Sequence, residues 1–164
     1  MKKTIISCFL LFSTGYVQAQ QIFSPPLSKR NASYQMQVRL DTETKKIQGR
    51  EVLTWRNVSN IETKELQFHL YMNAFSNNRS TFLRETGNYS KLEEKSAWGW
   101  TKVEKITLNS GIDLTGKTEF IQPDDDNKHD MTVLKVSLPR TVNPGDEIEL
   151  TIDFTTKLPA LFRR

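Results

Sequence analysis

The chain has 164 residues, 26% of them charged, with 23 Lys and Arg against 19 Asp and Glu and a net charge of +4. The two signs are interleaved, as in Arg50-Glu51 and Lys91-Leu92-Glu93-Glu94-Lys95, so no clustered basic face exists to bind phosphate backbones and nucleic acid is excluded as a partner. No stretch reaches the ~20 consecutive apolar residues that a spanning helix needs, and the length is that of one domain.

Met1-Lys2-Lys3 is a short basic start, Thr4 to Tyr16 is mostly apolar, and Val17-Gln18-Ala19 carries the small residues of a cleavage site. The pattern is that of a secretory leader cut after Ala19, which puts the mature protein in the periplasm or outside the cell. The lone cysteine, Cys8, falls inside this leader. Too few apolar residues precede it for a lipoprotein signal, so ordinary secretion is the expectation. The mature chain then has no cysteine for a disulfide or a thiolate metal site. Residues 20–33 form an N-terminal extension, 34–158 the folded domain, and 159–164 a short terminal segment.

From Tyr34 onward the dominant period is two. Tyr34, Met36, Val38 and Leu40 alternate with polar residues; after a turn at 42–46, Ile47, Gly49, Leu53 and Trp55 continue one face of a second strand. Leu66, Phe68 and Leu70 mark a third strand. Val103, Ile106 and Leu108 mark a fourth whose change of phase implies a bulge. Leu134, Val136 and Leu138 give another, and Ile148, Leu150, Ile152 and Phe154 the clearest alternation. Asn143-Pro144-Gly145-Asp146 is a turn, because proline presets φ and glycine accepts a positive φ. No helix longer than two turns is expected. The pattern predicts an all-β fold, an antiparallel β-sandwich. Residues 72–100 interrupt it as one long irregular loop, and residues 122–130 as an acidic hairpin tip.

Catalytic chemistry finds little to hold. His69 and His129 are the only histidines, and the helical H-E-x-x-H zinc spacing is absent, as are a G-x-S-x-G elbow and a Cys–His pair. His69 reads as a half-exposed strand residue beside Phe68 and Leu70, and His129 as a solvated loop residue. Asp124-Asp125-Asp126-Asn127-Lys128-His129-Asp130 resembles a calcium loop, but it puts Lys128 at a ligand position and has no closing glutamate, so a charged hairpin tip is the better reading. Trp98 and Trp100 are two apart on an extended chain and so share a side; they are either a stacking platform for a glycan or peptide or a plug under the long loop. Glu51 interrupts the Ile47–Trp55 stripe, which calls for a partner such as Arg39, Arg50 or a backbone amide, or for a bulge that turns it outward. The sequons at Asn31, Asn57, Asn78 and Asn88 carry little information after bacterial secretion.

Several segments carry a resemblance in a fixed order: Tyr34 to Asp41, Ile47-Gln-Gly-Arg-Glu51, Leu66-Gln-Phe-His-Leu-Tyr-Met-Asn-Ala-Phe75, Asp130 to Pro139, and Val142-Asn-Pro-Gly-Asp-Glu-Ile-Glu-Leu150. Together they resemble the N-terminal domain of secreted bacterial aminopeptidase-N-type (M1) zinc metallopeptidases of the Bacteroidetes kind, over roughly residues 34–162. The resemblance implies a saddle-shaped sandwich that packs on, and covers, a separate zinc-holding catalytic domain. Neither that domain's H-E-x-x-H site nor its G-x-M-E-N-type amine-binding segment occurs in this chain, and no residue matches a family catalytic or metal position. The expectation is a truncated peptidase piece, inactive alone, whose partner is a catalytic domain in cis or in trans, with zinc held by that partner. The alternative is a stand-alone secreted glycan- or peptide-binding module that uses Trp98 and Trp100.

Overall fold

The computed structural model describes residues 28, 30–87 and 95–159. The leader with Cys8, most of the extension, the Asn88 sequon and residues 160–164 lie outside them. The described residues form seven strands: β1 (Ala32–Asp41), β2 (Lys46–Arg56), β3 (Thr63–His69), β4 (Trp100–Leu108), β5 (Thr118–Ile121), β6 (Val133–Val142) and β7 (Glu147–Lys157). They make two antiparallel sheets, one of order β1-β2-β7-β4 and one of order β3-β6-β5, and the fold is an all-β sandwich.

The core lies where the two sheets face each other. Leu53, Ile106, Leu150 and Ile152 from the larger sheet meet Leu66, Val136 and Val142 from the smaller one, joined by Leu114. Ile106, Leu150 and Val136 are fully sealed from solvent. Each such side chain contributes ~1.5–3 kcal/mol on burial, so this two-layer contact dominates the stability. The register of β4 against β7 shifts between Val103 and Lys105, which is the bulge that the sequence phase implied: it lets Val103 and Ile106 both face inward.

The chain changes sheets at one corner, after β2 and again between β6 and β7. Asn57 clamps it. Its side-chain amide donates to the carbonyls of Ile61 (2.8 Å) and Val142 (3.1 Å), while its oxygen accepts from the backbone N–H (3.1 Å) and hydroxyl (2.6 Å) of Ser59. The Asn143–Asp146 turn closes against it, with Gly145 at φ +85° and its N–H donating to the Asn57 carbonyl at 2.7 Å. Proline then glycine with positive φ suits a type II turn.

Three features depart from the sequence expectation. β5 has no counterpart in it: four residues paired only with β6 are too few to display a period. β3 stops at His69, so Leu70 falls outside the strand. The 72–100 stretch is partly regular, holding a 3-10 turn at Tyr71–Phe75 and the helix α1 (Thr81–Thr86). Ser80 caps α1 by accepting from the Leu83 N–H at 3.4 Å, and Gly87 ends it at φ +64°.

Candidate functional site

The two sheets are unequal in width, and the larger one overhangs. On β1, Tyr34, Met36, Val38 and Leu40 point to the face that carries Leu53, Glu51, Gly49 and Ile47 on β2, their direct cross-strand partners. β2 and β7 are roofed by the smaller sheet near Leu53 and Leu150, but β1 is not. Its four apolar residues are 53–59% exposed. An apolar row at the buried-face phase that none of the described residues covers is an unfinished surface rather than scattered exposed apolar residues.

Where the overhang meets the smaller sheet, the layers part to leave a cleft of about 280 Å³. Glu51, Ile152, Phe154, Val103 and Ile106 line it from the larger sheet. Phe68, His69 and Leu134 line it from the smaller one, with Tyr71 and Met72 just beyond β3. A neighbouring hollow of about 360 Å³ shares Leu70, Thr101, Val103 and Leu134 and runs on to Trp100, Phe120 and Met131.

Glu51 does not take the partners that its sequence position called for. β2 keeps an unbroken register with both neighbours, so no bulge turns Glu51 away. Arg50, one residue before it and therefore on the other face, is held by Asp153 through Nε–Oδ1 at 2.6 Å and Nη2–Oδ2 at 2.9 Å. Arg39 also lies on that opposite face, since it stands between Val38 and Leu40 along the strand. The Glu51 carboxylate is half-buried in the cleft with no hydrogen bond or ion pair among the described residues, and its removal from water pushes its pKa up.

His69 stands at the cleft rim, exposed, with its ring edge-on to Tyr71 at 4.0 Å between centroids. With Glu51 it makes two metal-capable groups and no third; among the described residues no group of three or more His, Cys, Asp or Glu could hold a metal ion. His129 is exposed on its loop.

The acidic loop between β5 and β6 exposes Asp124, Asp125, Asp126 and Lys128 and is tied down at two other positions. Asp130 and Asn127 are buried. Asp130 accepts from the Thr81 N–H (3.0 Å) at the start of α1 and from the N–H of Thr132 (2.9 Å) and its hydroxyl, while Asn127 donates to the Arg79 carbonyl (2.9 Å). Burial works against the Asp130 charge, yet the bonds from Thr132 and Thr81 outweigh it and hold the carboxyl below its ordinary value. The loop fastens the α1 segment to the smaller sheet, which gives Asp130 a structural role.

Trp98 and Trp100 are both half-buried and flank the buried Gly99, whose N–H donates to the Phe75 carbonyl at 3.1 Å. Trp100 opens β4 opposite Lys157. No helix among the described residues is long and apolar enough to cross a membrane. No protein-family model matches the chain. A search of curated proteins likewise finds no match.

Proposed function

We propose that this chain is a secreted, non-catalytic β-sandwich domain like the N-terminal domain of M1 zinc aminopeptidases, and that it packs on and covers a catalytic domain supplied in cis or in trans. The observation that carries this reading is the uncovered row Tyr34, Met36, Val38 and Leu40, continuous with Ile47 on the neighbouring strand. A secreted domain that worked alone would favour polar residues at those positions, since they lie at the edge and meet water. Zinc and the peptide-cleaving groups would belong to the partner domain, and this chain would contribute wall and orientation.

Two measurements test the proposal. The purified chain is assayed for leucyl-p-nitroanilide hydrolysis and bound zinc; robust turnover by the chain alone would overturn it. Binding to a zinc aminopeptidase catalytic domain added in trans is then followed by calorimetry. Association that is lost on Val38→Lys supports the reading, and no association by the folded chain counts against it.

A further inference from the structure

Glu51 is the one carboxylate in the cleft between the sheets, and it lacks a counter-charge among the described residues; the Thr101 and Thr156 hydroxyls that also line the cleft bond each other at 2.8 Å. The cations around it are directed elsewhere. Arg50 is engaged by Asp153, Lys102 by Glu104 at 2.5 Å, and Lys135 by Glu119. Lys105 stands one residue from the inward-facing Ile106 and so on the far face of β4, where its field reaches Asp113 and Asp153. Phe68, Val103, Ile152 and Phe154 supply most of the apolar wall of the cleft that Glu51 shares. A carboxylate in such surroundings is unfavourable unless a donor meets it, and a cation is the strongest donor available.

We propose that this cleft binds a cationic nitrogen carried on an apolar stem, an alkyl- or arylalkylammonium group, with Glu51 as its counter-ion. The stem lies against Ile152, Val103 and the rings of Phe68 and Phe154, and the nitrogen reaches the carboxylate. Room is sufficient: a cavity of ~150 Å³ already takes benzene, and this one has about 280 Å³. The aromatic walls add attraction for a cation over either face. A metal ion is a poor occupant, because no group of three ligating side chains exists among the described residues. An anion would meet the carboxylate with like charge. Glu51 stands across from Met36 on the face proposed to dock, so the cleft is tested on the isolated chain, where amine binding and docking of a catalytic domain are read by separate measurements.

The test is a titration of the isotopically labelled chain with n-pentylammonium, with n-pentanol as the neutral control. The expected result is saturable shifts at Phe68, Val103, Ile152 and Phe154, with at least tenfold weaker binding of pentanol. Glu51→Gln should lower ammonium affinity tenfold or more while leaving pentanol unchanged. Glu51→Leu should abolish ammonium binding while still unfolding cooperatively, which separates lost binding from lost structure. Equal affinity for ammonium and alcohol, indifference to Glu51→Gln, or no saturable shift on the folded chain would each overturn the proposal. A capped Ala-Lys-Ala peptide forms the second arm. If it competes with pentylammonium the natural source is a lysine side chain, and if it does not the source is a free amine; both results require the same Glu51-dependent site.

Discussion

The ring of Phe154 fills the space that a side chain at Gly49, its cross-strand partner, would occupy. A Cβ at position 49 would lie 2.2 Å from Phe154 Cζ and within 2.8 Å of two further ring carbons. Gly49 is thus a seat for the ring on the cleft floor. Gly49→Ala should destabilise the domain by about 1–3 kcal/mol in urea unfolding, because the ring must be displaced. In a Phe154→Leu background the same substitution should be markedly milder, and equal effects in both backgrounds would contradict the contact.

Asn57 is 2% exposed and makes four side-chain hydrogen bonds at the corner where the chain changes sheets. Asn57→Ala leaves the Ile61 and Val142 carbonyls without their donor. The expected loss is about 2–3 kcal/mol, read as a lower urea midpoint with the slope unchanged. The burial also means that a glycosylation enzyme meeting the folded domain should leave this sequon unmodified, which mass spectrometry of protein treated after folding would check.

Asp130 supplies a stability term with a definite pH sign. Its native pKa lies below its unfolded value, so the stabilisation is complete above the ordinary aspartate range and is lost as pH falls through the native value. Asp130→Asn should cost about 1–3 kcal/mol near pH ~7 by weakening the bonds from Thr81 and Thr132. The gap between the two proteins should narrow on acidification. A gap that stays constant down to pH ~2 would show the charge to be irrelevant.

Glu51 has the opposite sign. Its native pKa is raised by burial, so the ionised side chain opposes folding above that value, and the penalty fades as pH falls through it. In the absence of ligand, Glu51→Gln should be neutral to stabilising near pH ~7, with the difference vanishing below the ordinary glutamate range. Greater destabilisation of the variant at neutral pH would mean that the carboxylate has a partner in the fold.

Val38 is 59% exposed on the open face, and Met36 is 53% exposed. Val38→Lys and Met36→Lys should change the stability of the isolated domain by no more than about 0.5 kcal/mol, as surface positions do. Both should raise solubility and reduce binding of an apolar dye. A large loss of stability would mean that the row is covered within the chain itself.

How far the sequence reached depended on how local each determinant was. Ile148, Leu150, Ile152 and Phe154 announced β7 because alternation is a property of the strand alone, and Val103 against Ile106 announced the bulge in β4. The type II turn at Asn143–Asp146 was equally plain. α1 was signalled by Ser80 before it and Gly87 after it, but a helix of six residues shows little periodicity. β5 spans four residues and exists because β6 lies beside it. The cleft was beyond reach in principle: it arises where two sheets of unequal width part, which no single segment encodes. Glu51 was visible as an anomaly in its stripe, yet only the unbroken register of β2 and the engagement of Arg50 with Asp153 leave it facing the gap. The acidic loop is a charged tip at Asp124–Asp126, Lys128 and His129, which are exposed, but sequence did not reveal that Asn127 and Asp130 turn inward to hold α1.

β1 has β2 as its only strand neighbour among the described residues. The Arg56 N–H donates to the Asn31 carbonyl at 2.8 Å, which fixes the phase of the ladder: odd-numbered residues of β1 exchange bonds with β2 and even-numbered ones face outward. The amide protons of Tyr34, Met36, Val38 and Leu40 should therefore trade for deuterium quickly while those of Gln35, Gln37 and Arg39 resist. That two-residue beat is a built-in gauge of the strand's free side. If any body docks along the edge the beat disappears, and if one merely lies on the face it remains.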